Sequence, residues 1–350
     1  MSATSAKRPP LAVLLTNTED VHATPVEREL NLLGTPYLRY DTDVAWPTSG
    51  ASFHLDRNGS ARATFTGSGI TAESSEITAV WNRRPTRAAV APQLDGNPRD
   101  FAIDETTAGL QGTLRSIDSA WLSHPDAVRA ASFRPAQLRA AVAAGFTVPE
   151  TLVSQDPALV YDFMRAIGGR AIAKLVSSGP PRLPSNDPYN VFAGIVETRD
   201  LDDSQISLSP VLYQRPVPKA YELRVTLVGD NLLACAMDSQ TSMDGLDDWR
   251  RADPESIAHR PVTLDDPTAT RCRRLARALG LEFGAFDLVV TPEGETVFLE
   301  VNPNGQWLWI EDFTGLPIAA AIARWLTDGT ETSRPVTKVN ASVLSEGTPR

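Results

Sequence analysis

The amino-acid sequence predicts an α/β protein of two or three domains. Apolar, strand-like runs such as LAVLLT (11–16) alternate with segments of helical spacing such as VERELNLL (26–33), which is typical of α/β folds. The chain has 350 residues, 42% apolar and 22% charged, a globular composition on a length that commonly divides into several domains. The first third is predicted to be a small α/β domain with mainly parallel strands.

Turn and cap residues delimit the elements that follow. Asn58-Gly59 separates two alternating segments and predicts a β-hairpin, as does Gly229-Asp230-Asn231 further on. Asp156-Pro157 opens a helix that Gly168-Gly169 closes. The other predicted strands are PYLRYD (36–41), ITAVWNRRP (77–85), TLVS (151–154), RAIAKLV (170–176), FGAFDLVV (283–290) and ETVFLEVNPN (295–304), and the other predicted helices are 100–120, 268–280 and 314–326.

Charge and scarce residue types exclude several function classes. The 33 Lys and Arg against 43 Asp and Glu give a formal net charge of −10, which argues against a nucleic-acid binder. Two cysteines, Cys235 and Cys272, cannot form a disulfide framework, and four scattered histidines disfavour His-based metal or triad chemistry. No apolar run reaches membrane-spanning length and no signal-peptide core is present, so we expect a cytoplasmic protein without membrane contact.

A set of oxygen ligands is predicted where the last two strands pair. Glu300 and Asn302 alternate with apolar residues and so share one strand face. If the strands pair around a four-residue loop at 292–295, Asp287 lies opposite Glu300. Adjacent carboxylates repel unless a cation lies between them, and hard oxygen ligands suit Mg²⁺. An ordinary half-exposed hairpin has the same pattern, so both interpretations stay open at this point.

The segment after the last strand favours the ligand-binding interpretation. The run NPNG (302–305) is polar at the end of an apolar strand, which indicates backbone turned toward a ligand. Trp307 and Trp309 follow at i, i+2, and tryptophans in this position are more often core than site.

Cations for a phosphate ligand are expected elsewhere, because Mg²⁺ commonly shares its shell with phosphates. P-loop and dinucleotide fingerprints are missing from the sequence. Lys174 in AIAKLV either keeps an edge strand soluble or contacts a phosphate. The Ser/Gly/Pro-rich loop at 177–190 follows it directly and could close over phosphates, which favours the phosphate contact. Lys174, Arg224 and Arg250, the loop and the three oxygen ligands together match the needs of phosphoryl transfer, which are a metal site, a clamp of cations and a covering loop.

These stretches resemble the ATP-grasp ligases. More narrowly, they resemble the ATP-grasp ribosomal peptide maturases, the graspetide synthetases that make microviridin-type ω-ester and ω-amide macrocycles. AVWNRRP (79–85) and NPNGQWLWIE with TGLPI (302–318) are the specific signatures, whereas the Asp and Glu-x-Asn triad is shared by all ATP-grasp enzymes. The similarity spans nearly the whole chain, and its other stretches are 121–157, 172–176, 213–230, 248–250 and 286–326.

The resemblance implies an ATP-grasp fold of α+β lobes behind an N-terminal, Rossmann-like pre-ATP-grasp domain. The expected division is a pre-ATP-grasp domain at 1–125, a central lobe with the phosphate-covering loop at 126–209, a C-terminal lobe with the Mg²⁺ site at 210–330 and a flexible tail at 331–350.

The resemblance also implies a role for each matching residue. Lys174, Arg224 and Arg250 are expected at the phosphates and the acyl-phosphate, Asp287, Glu300 and Asn302 at Mg²⁺, Arg134, Gln214, Arg215, Pro216, Val217 and Asn304 at ATP, and Arg83 or Arg84 at a substrate acid. Two positions depart from the family pattern. Arg134 in SFRPAQL stands where a lysine is usual, so a fork replaces a point charge, and Arg215 stands where an acidic residue is expected.

The implied reaction is peptide macrocyclisation. ATP phosphorylates an Asp or Glu side chain of a ribosomal precursor peptide, made of leader plus core, and a Thr or Ser hydroxyl or a Lys amine of the same peptide displaces phosphate. The alternatives are an ATP-grasp ligase acting on a small amino acid or a peptide terminus, and an ATP-binding scaffold without catalysis. The intact triad disfavours the scaffold. Homodimerisation is a further expectation from the family.

Overall fold

A parallel sheet forms the core of the N-terminal third. The computed structural model describes residues 11–176, 193–241, 249 and 253–328. The sheet has the order β2-β1-β6-β7, and all its pairings are parallel. Its strands are β1 (Leu11–Thr16), β2 (Tyr37–Asp41), β6 (Ile77–Asn82) and β7 (Ala120–Leu122), with helix α1 (Ala23–Leu33) between the first two. The predicted parallel α/β domain is confirmed.

A three-stranded antiparallel sheet and a long helix complete this third. The sheet consists of β3 (Gly50–Leu55), β4 (Ala61–Gly67) and β5 (Ile70–Glu73), and α2 (Gly96–Arg115) packs on β3. The predicted hairpin around Asn58-Gly59 is confirmed, since Leu55 pairs with Ala61. The strand β5 was not predicted.

The middle of the chain builds an antiparallel sheet of order β10-β9-β11-β8. Its elements are α3 (Pro125–Ala131), α4 (Arg134–Ala144), β8 (Thr151–Ser154), α5 (Pro157–Ile167), β9 (Arg170–Lys174), β10 (Gly194–Glu197), α6 (Asp203–Ile206) and β11 (Val211–Gln214). Asp156 caps α5 by accepting from the backbone N–H of Ala158 at 2.9 Å, and Gly168 ends the helix at φ 89°. Both boundaries agree with the sequence prediction.

The last large sheet has five antiparallel strands in the order β14-β13-β12-β15-β16. The strands are β12 (Tyr221–Val228), β13 (Asn231–Met237), β14 (His259–Val262), β15 (Phe283–Val290) and β16 (Thr296–Asn302), and α7 (Asp266–Leu279) lies between β14 and β15 in the chain. One face packs on α4 and α7 through an apolar cluster that includes Leu223, Phe286 and Phe298. The opposite face carries the polar residues predicted to bind ligands. Short 3-10 helices span Ser74–Glu76, Thr198–Asp200, Ser239–Thr241 and Pro254–Ser256.

The predicted helix over 314–326 corresponds to α9 (Ile318–Asp328), and the preceding helix α8 (Leu308–Thr314) was not predicted. Gly315, at φ 69°, ends α8, and the predicted helix begins four residues later than expected.

The final helix belongs to the N-terminal core. Helix α9 packs against α1 and β6, and Leu14 and Trp81 share one buried cluster with Phe283, Trp307 and Ile322. The first and last thirds of the chain therefore meet through a common apolar core and not across a loose hinge. Among the described residues, no helix combines the length and apolar character needed to cross a membrane.

Candidate functional site

Asp287 and Glu300 lie directly opposite each other on β15 and β16, as predicted. Asn302 Nδ2 donates to Asp287 Oδ2 at 3.1 Å and to Glu300 Oε1 at 3.3 Å. The three predicted metal ligands therefore converge on one face of the five-stranded sheet, with two carboxylate oxygens directed at the same amide.

The remaining carboxylate oxygens are held by arginines. Asp287 Oδ1 accepts from Arg224 Nη1 at 2.7 Å, and Glu300 Oε2 accepts from Arg134 Nη2 at 2.7 Å and Nε at 2.9 Å. Arg224 and Glu300 are almost fully buried. Charge-assisted pairs in such an environment are strong and geometrically fixed. Each outer oxygen is neutralised by a guanidinium, and each inner oxygen points to the shared centre.

This donor set fits Mg²⁺. Two carboxylates and an amide offer hard oxygen ligands, and rotation of the Asn302 amide places its oxygen where the nitrogen now bridges both acids. Among the described residues, no group of three or more His, Cys, Asp or Glu side chains could hold a metal. The predicted set contains two acids, and the Asn302 amide oxygen would supply its third oxygen.

A β-bulge brings an apolar residue beside the acids. Asp287 pairs with Glu300 but Leu288 pairs with Phe298, so Leu299 is an extra residue on β16. Leu299 lines a cleft between the two antiparallel sheets. The other residues that line the cleft are Ile172, Lys174, Gln214, Arg215, Pro216, Val217, Lys219 and Val289. The predicted phosphate lysine and the whole predicted hinge thus border one cleft next to the metal ligands.

Lys174 lies in an interior strand of its sheet. Strand β9 is flanked by β10 and β11, so the edge-strand interpretation of this lysine is wrong. Its Nζ donates to Gln214 Oε1 at 2.9 Å, and Gln214 Nε2 donates to Thr151 Oγ1 at 3.0 Å. This chain of hydrogen bonds orients the ammonium at the wall of the cleft.

Arg215, the unexpected hinge residue, turns its side chain away toward α5. Its Nη2 lies 2.8 Å from Glu150 Oε2 and 3.3 Å from the carbonyl oxygen of Ala166 at the end of that helix. Its backbone N–H donates to the Glu150 carbonyl at 2.9 Å. The arginine therefore pairs with an acid and with helix C-terminal carbonyls, which explains why a basic residue is tolerated here.

Arg134 joins the sheets as well as holding Glu300. It stands at the first residue of α4, and its Nη1 donates to the carbonyl oxygen of Leu175, just after β9. The planar guanidinium binds the acid and the carbonyl oxygen at the same time in a fixed geometry. A lysine ammonium at the same place would bind them with fewer directional constraints.

A buried Lys219–Glu222 pair borders the cleft and was not predicted. Lys219 Nζ lies 3.0 Å from Glu222 Oε1, and Ser239 Oγ donates to the same oxygen at 2.8 Å. Glu222 is 4% exposed. Alternation placed it on the Arg224 face, but an acid on a strand is usually solvated, so its signal was weak.

The two predicted substrate arginines differ sharply. Arg83 is fully buried and donates from Nη1 to the carbonyl oxygens of Asn304 at 2.9 Å and Gly305 at 3.0 Å. Arg84 is exposed. In this structure Arg83 has no open surface to offer a substrate and instead binds the turn that carries Asn304. Burial lowers the pKa of Arg83 to about 10, which leaves it charged at neutral pH.

Three predictions lie outside the described residues: Arg250, the covering loop at 177–190 and the tail at 331–350. The neighbouring Trp249 is described, and its ring lies 4.7 Å from that of Trp309. The centroids of the Trp309 and His259 rings lie 5.6 Å apart. Trp307 is fully buried, as expected for a core tryptophan.

His22 makes the protein sensitive to acid. Burial and the nearby Arg83 guanidinium lower the pKa of His22 from 6.5 to about 3, while Asp20 opposes the shift. The neutral ring accepts a hydrogen bond at Nδ1 from the Leu308 backbone N–H at 3.3 Å. Since the unfolded chain binds this proton and the folded chain does not, stability rises with pH between the two pKa values. We expect this residue to remove about 2 kcal/mol of unfolding free energy from pH 7 to pH 5.

Urea unfolding of the wild type and of His22→Asn at both pH values measures the effect. Asparagine keeps an acceptor but does not titrate, so the variant should lose about 2 kcal/mol less than the wild type on acidification. Equal losses in both proteins would contradict the assignment.

Comparisons with known proteins agree with this fold. A family model described as the MvdD pre-ATP grasp domain matches residues 12–129. The RiPP-associated ATP-grasp ligase of Chryseobacterium gregarium, solved in complex with ADP and a leader and core peptide, is 25% identical with a TM-score of 0.82, over 91% of this chain and 97% of that chain. Curated protein sequences gave no match.

Two macrocyclases from Microcystis aeruginosa MRC are also similar. MdnC, bound with precursor peptide MdnA, is 26% identical with a TM-score of 0.77, and MdnB is 29% identical with a TM-score of 0.73. Each alignment covers 91% of this chain and 99% of the macrocyclase. The predicted ATP-grasp fold and the resemblance to ribosomal peptide maturases are thereby confirmed.

Proposed function

We propose, from the premise that this chain is an ATP-grasp ligase of the ribosomal peptide maturase type, that it crosslinks a precursor peptide. The γ-phosphoryl group of ATP passes to an Asp or Glu side chain of the peptide, and ADP leaves. A Thr or Ser hydroxyl or a Lys amine of the same peptide then attacks the acyl-phosphate carbon. The products are an ester or amide ring and inorganic phosphate.

The observation that carries this proposal is the arginine-flanked set of three oxygen-bearing side chains on the strands that border the cleft. Asp287, Glu300 and Asn302 would hold Mg²⁺, which when bound neutralises phosphate charge and orients the transferred group. Arg224, which lies 2.7 Å from Asp287, would stabilise the charge of the acyl-phosphate. No protein nucleophile is required, which agrees with the buried, high-pKa thiols of Cys235 and Cys272.

The nucleotide would occupy the cleft between the antiparallel sheets. Ile172, Val289 and Leu299 offer apolar walls to the base, and the backbone of 215–217 lies beside them. Lys174, fixed by Gln214, supplies a cation for the phosphates. Arg250 and the loop at 177–190 complete the clamp and cover in this proposal, and Arg84 is the arginine left to meet a substrate acid.

Domain division and assembly belong to the same proposal. We keep the N-terminal domain at 1–125 and move the boundary between the two later lobes from 209 to Gln214, because β11 pairs with β8 and β9. The enzyme is proposed to act in the cytoplasm and to form a homodimer, and light scattering behind size-exclusion chromatography tests the dimer.

Incubation with a leader-bearing precursor peptide, ATP and Mg²⁺, followed by mass spectrometry, tests the function. We expect each ring to lower the peptide mass by one water, with one ADP released per ring. A matched peptide whose core acids are replaced by their amides should stay unchanged. Turnover of free amino acids with no change in any precursor would favour the small-substrate ligase instead.

A further inference from the structure

We propose that Arg83 is a positioning residue through which the N-terminal domain sets the affinity of the metal site. The inference rests on the proposed function, since it takes Asp287, Glu300 and Asn302 as the Mg²⁺ ligands. It gives the N-terminal domain a direct part in the chemistry of a site built mostly from the last sheet.

Arg83 binds the turn that begins at a metal ligand. The Gly305 backbone N–H donates to the Asn302 carbonyl at 3.1 Å and closes a turn over 302–305. Arg83 Nη1 donates to two successive carbonyl oxygens of that turn, those of Asn304 and Gly305. One guanidinium nitrogen therefore fixes the orientation of the peptide planes that follow Asn304 and Gly305, two and three residues beyond Asn302.

Arg83 is itself held rigidly inside the N-terminal domain. Its Nε lies 3.4 Å from Asp20 Oδ2, and both side chains are essentially inaccessible. Thr16 Oγ1 donates to the same carboxylate oxygen at 2.6 Å. The guanidinium carbon lies 6.0 Å from the centroid of the Trp81 ring. A buried, ion-paired guanidinium of this kind has little rotamer freedom. The position of the N-terminal domain therefore determines the position of the turn.

The other end of the same segment contacts the catalytic arginine. Arg224 Nη2 donates to the carbonyl oxygen of Gln306 at 2.9 Å while its Nη1 binds Asp287. Gly305 is packed so closely that an added Cβ would lie 2.4 Å from Ala285 Cβ and 3.1 Å from Arg224 Nη2. Residues 302–306 are thus clamped between Arg83 and Arg224, and loosening one side changes the setting of Asn302 and Asp287 together.

Removal of a residue that orients metal ligands commonly costs about 10–100-fold in metal affinity. We therefore expect Arg83→Met, which keeps side-chain bulk and removes the donors, to raise the dissociation constant for the metal about tenfold or more. Arg39→Met is the matched control. Arg39 is a half-buried, ion-paired arginine of this domain, bound to Asp41 and Glu27, and it makes no described contact with the turn.

The experiment titrates Mn²⁺ into the full-length protein with ADP present and follows free and bound metal by electron paramagnetic resonance, alongside thermal unfolding. The proposal expects both variants to lower the melting temperature but only Arg83→Met to weaken Mn²⁺ binding. Arg83→Gln, which retains a donor, should lie between Arg83→Met and wild type, and it decides the matter if the methionine variant does not fold.

Two other results would overturn the inference in distinguishable ways. Folded Arg83 variants with wild-type Mn²⁺ affinity would reduce Arg83 to a purely structural residue and leave the proposed function intact. Absence of Mn²⁺·ADP binding by the wild type would remove the metal site itself, and the proposed function with it.

Discussion

Replacing Glu300 by Gln is expected to abolish ADP release in the presence of precursor peptide, ATP and Mg²⁺. The substitution removes one charge from the proposed metal site and leaves the Arg134 guanidinium, now bonded to Glu300 at 2.7 Å, without its anionic partner. Asp287→Asn should act in the same way through Arg224. Loss of a metal ligand in phosphoryl transfer should lower kcat by about 1000-fold or more. A coupled ADP assay at saturating ATP measures it.

Glu293→Gln is the matched control for this prediction. Glu293 lies on the exposed loop of the same hairpin and loses the same charge with the same atoms. Its turnover should equal that of the wild type. Normal turnover in Glu300→Gln or in Asp287→Asn would remove the metal assignment.

Replacing Gly305 by Ala is expected to disrupt both stability and activity. The new Cβ would meet Ala285 Cβ at 2.4 Å and the Asn302 carbonyl oxygen at 3.2 Å. Backbone atoms and a short side chain cannot move aside as a long flexible chain can, so the turn itself must shift. We expect the free energy of unfolding to fall by about 2–3 kcal/mol and ADP release to fall with it.

The controls for Gly305→Ala separate a local clash from a general effect of glycine. Gly109→Ala, within α2 and with no atom near its added Cβ, should instead raise stability by about 0.5–1 kcal/mol. Ala285→Gly combined with Gly305→Ala should recover much of the loss, because it removes the nearest atom. Denaturant unfolding of all four proteins decides between these outcomes, and a Gly305→Ala protein of wild-type stability would contradict the close packing.

The register of the last hairpin shows how much of the strand pairing could be predicted from the alternation of apolar and polar residues. Asp287 does face Glu300, but two departures from the predicted pairing cancel each other. The loop is one residue longer than supposed, since Val290 pairs with Thr296, and the bulge at Leu299 restores the offset. Alternation of apolar and polar residues identifies a strand face, but it contains no signal for an unpaired residue.

The structure adds what the sequence pattern does not contain, namely which distant segments pack together. Lys174 showed that it was unusual in an apolar strand, but only strand order reveals that β9 is interior. Arg83 and Arg84 were both predicted as possible contacts of a substrate acid, but Arg83 is buried and Arg84 exposed, because neighbouring positions in the chain can differ completely in burial once a strand ends. The Lys219–Glu222 pair could be recognised only in the structure, where Ser239, distant in the sequence, donates a hydrogen bond to Glu222.

Because Leu299 is an extra residue, one face of β16 carries both the predicted metal ligands and an apolar wall of the cleft. In a regular strand, the residue before Glu300 would point to the apolar core, and the site face would carry metal ligands alone. The bulge turns Leu299 to that same face, where it walls the cleft. Phe298 and Val301 on either side still reach the core. In the proposed function, this single inserted residue adds an apolar wall for the nucleotide base beside the predicted metal ligands, so that substitution of Leu299 would change nucleotide preference while the predicted ligands keep their places.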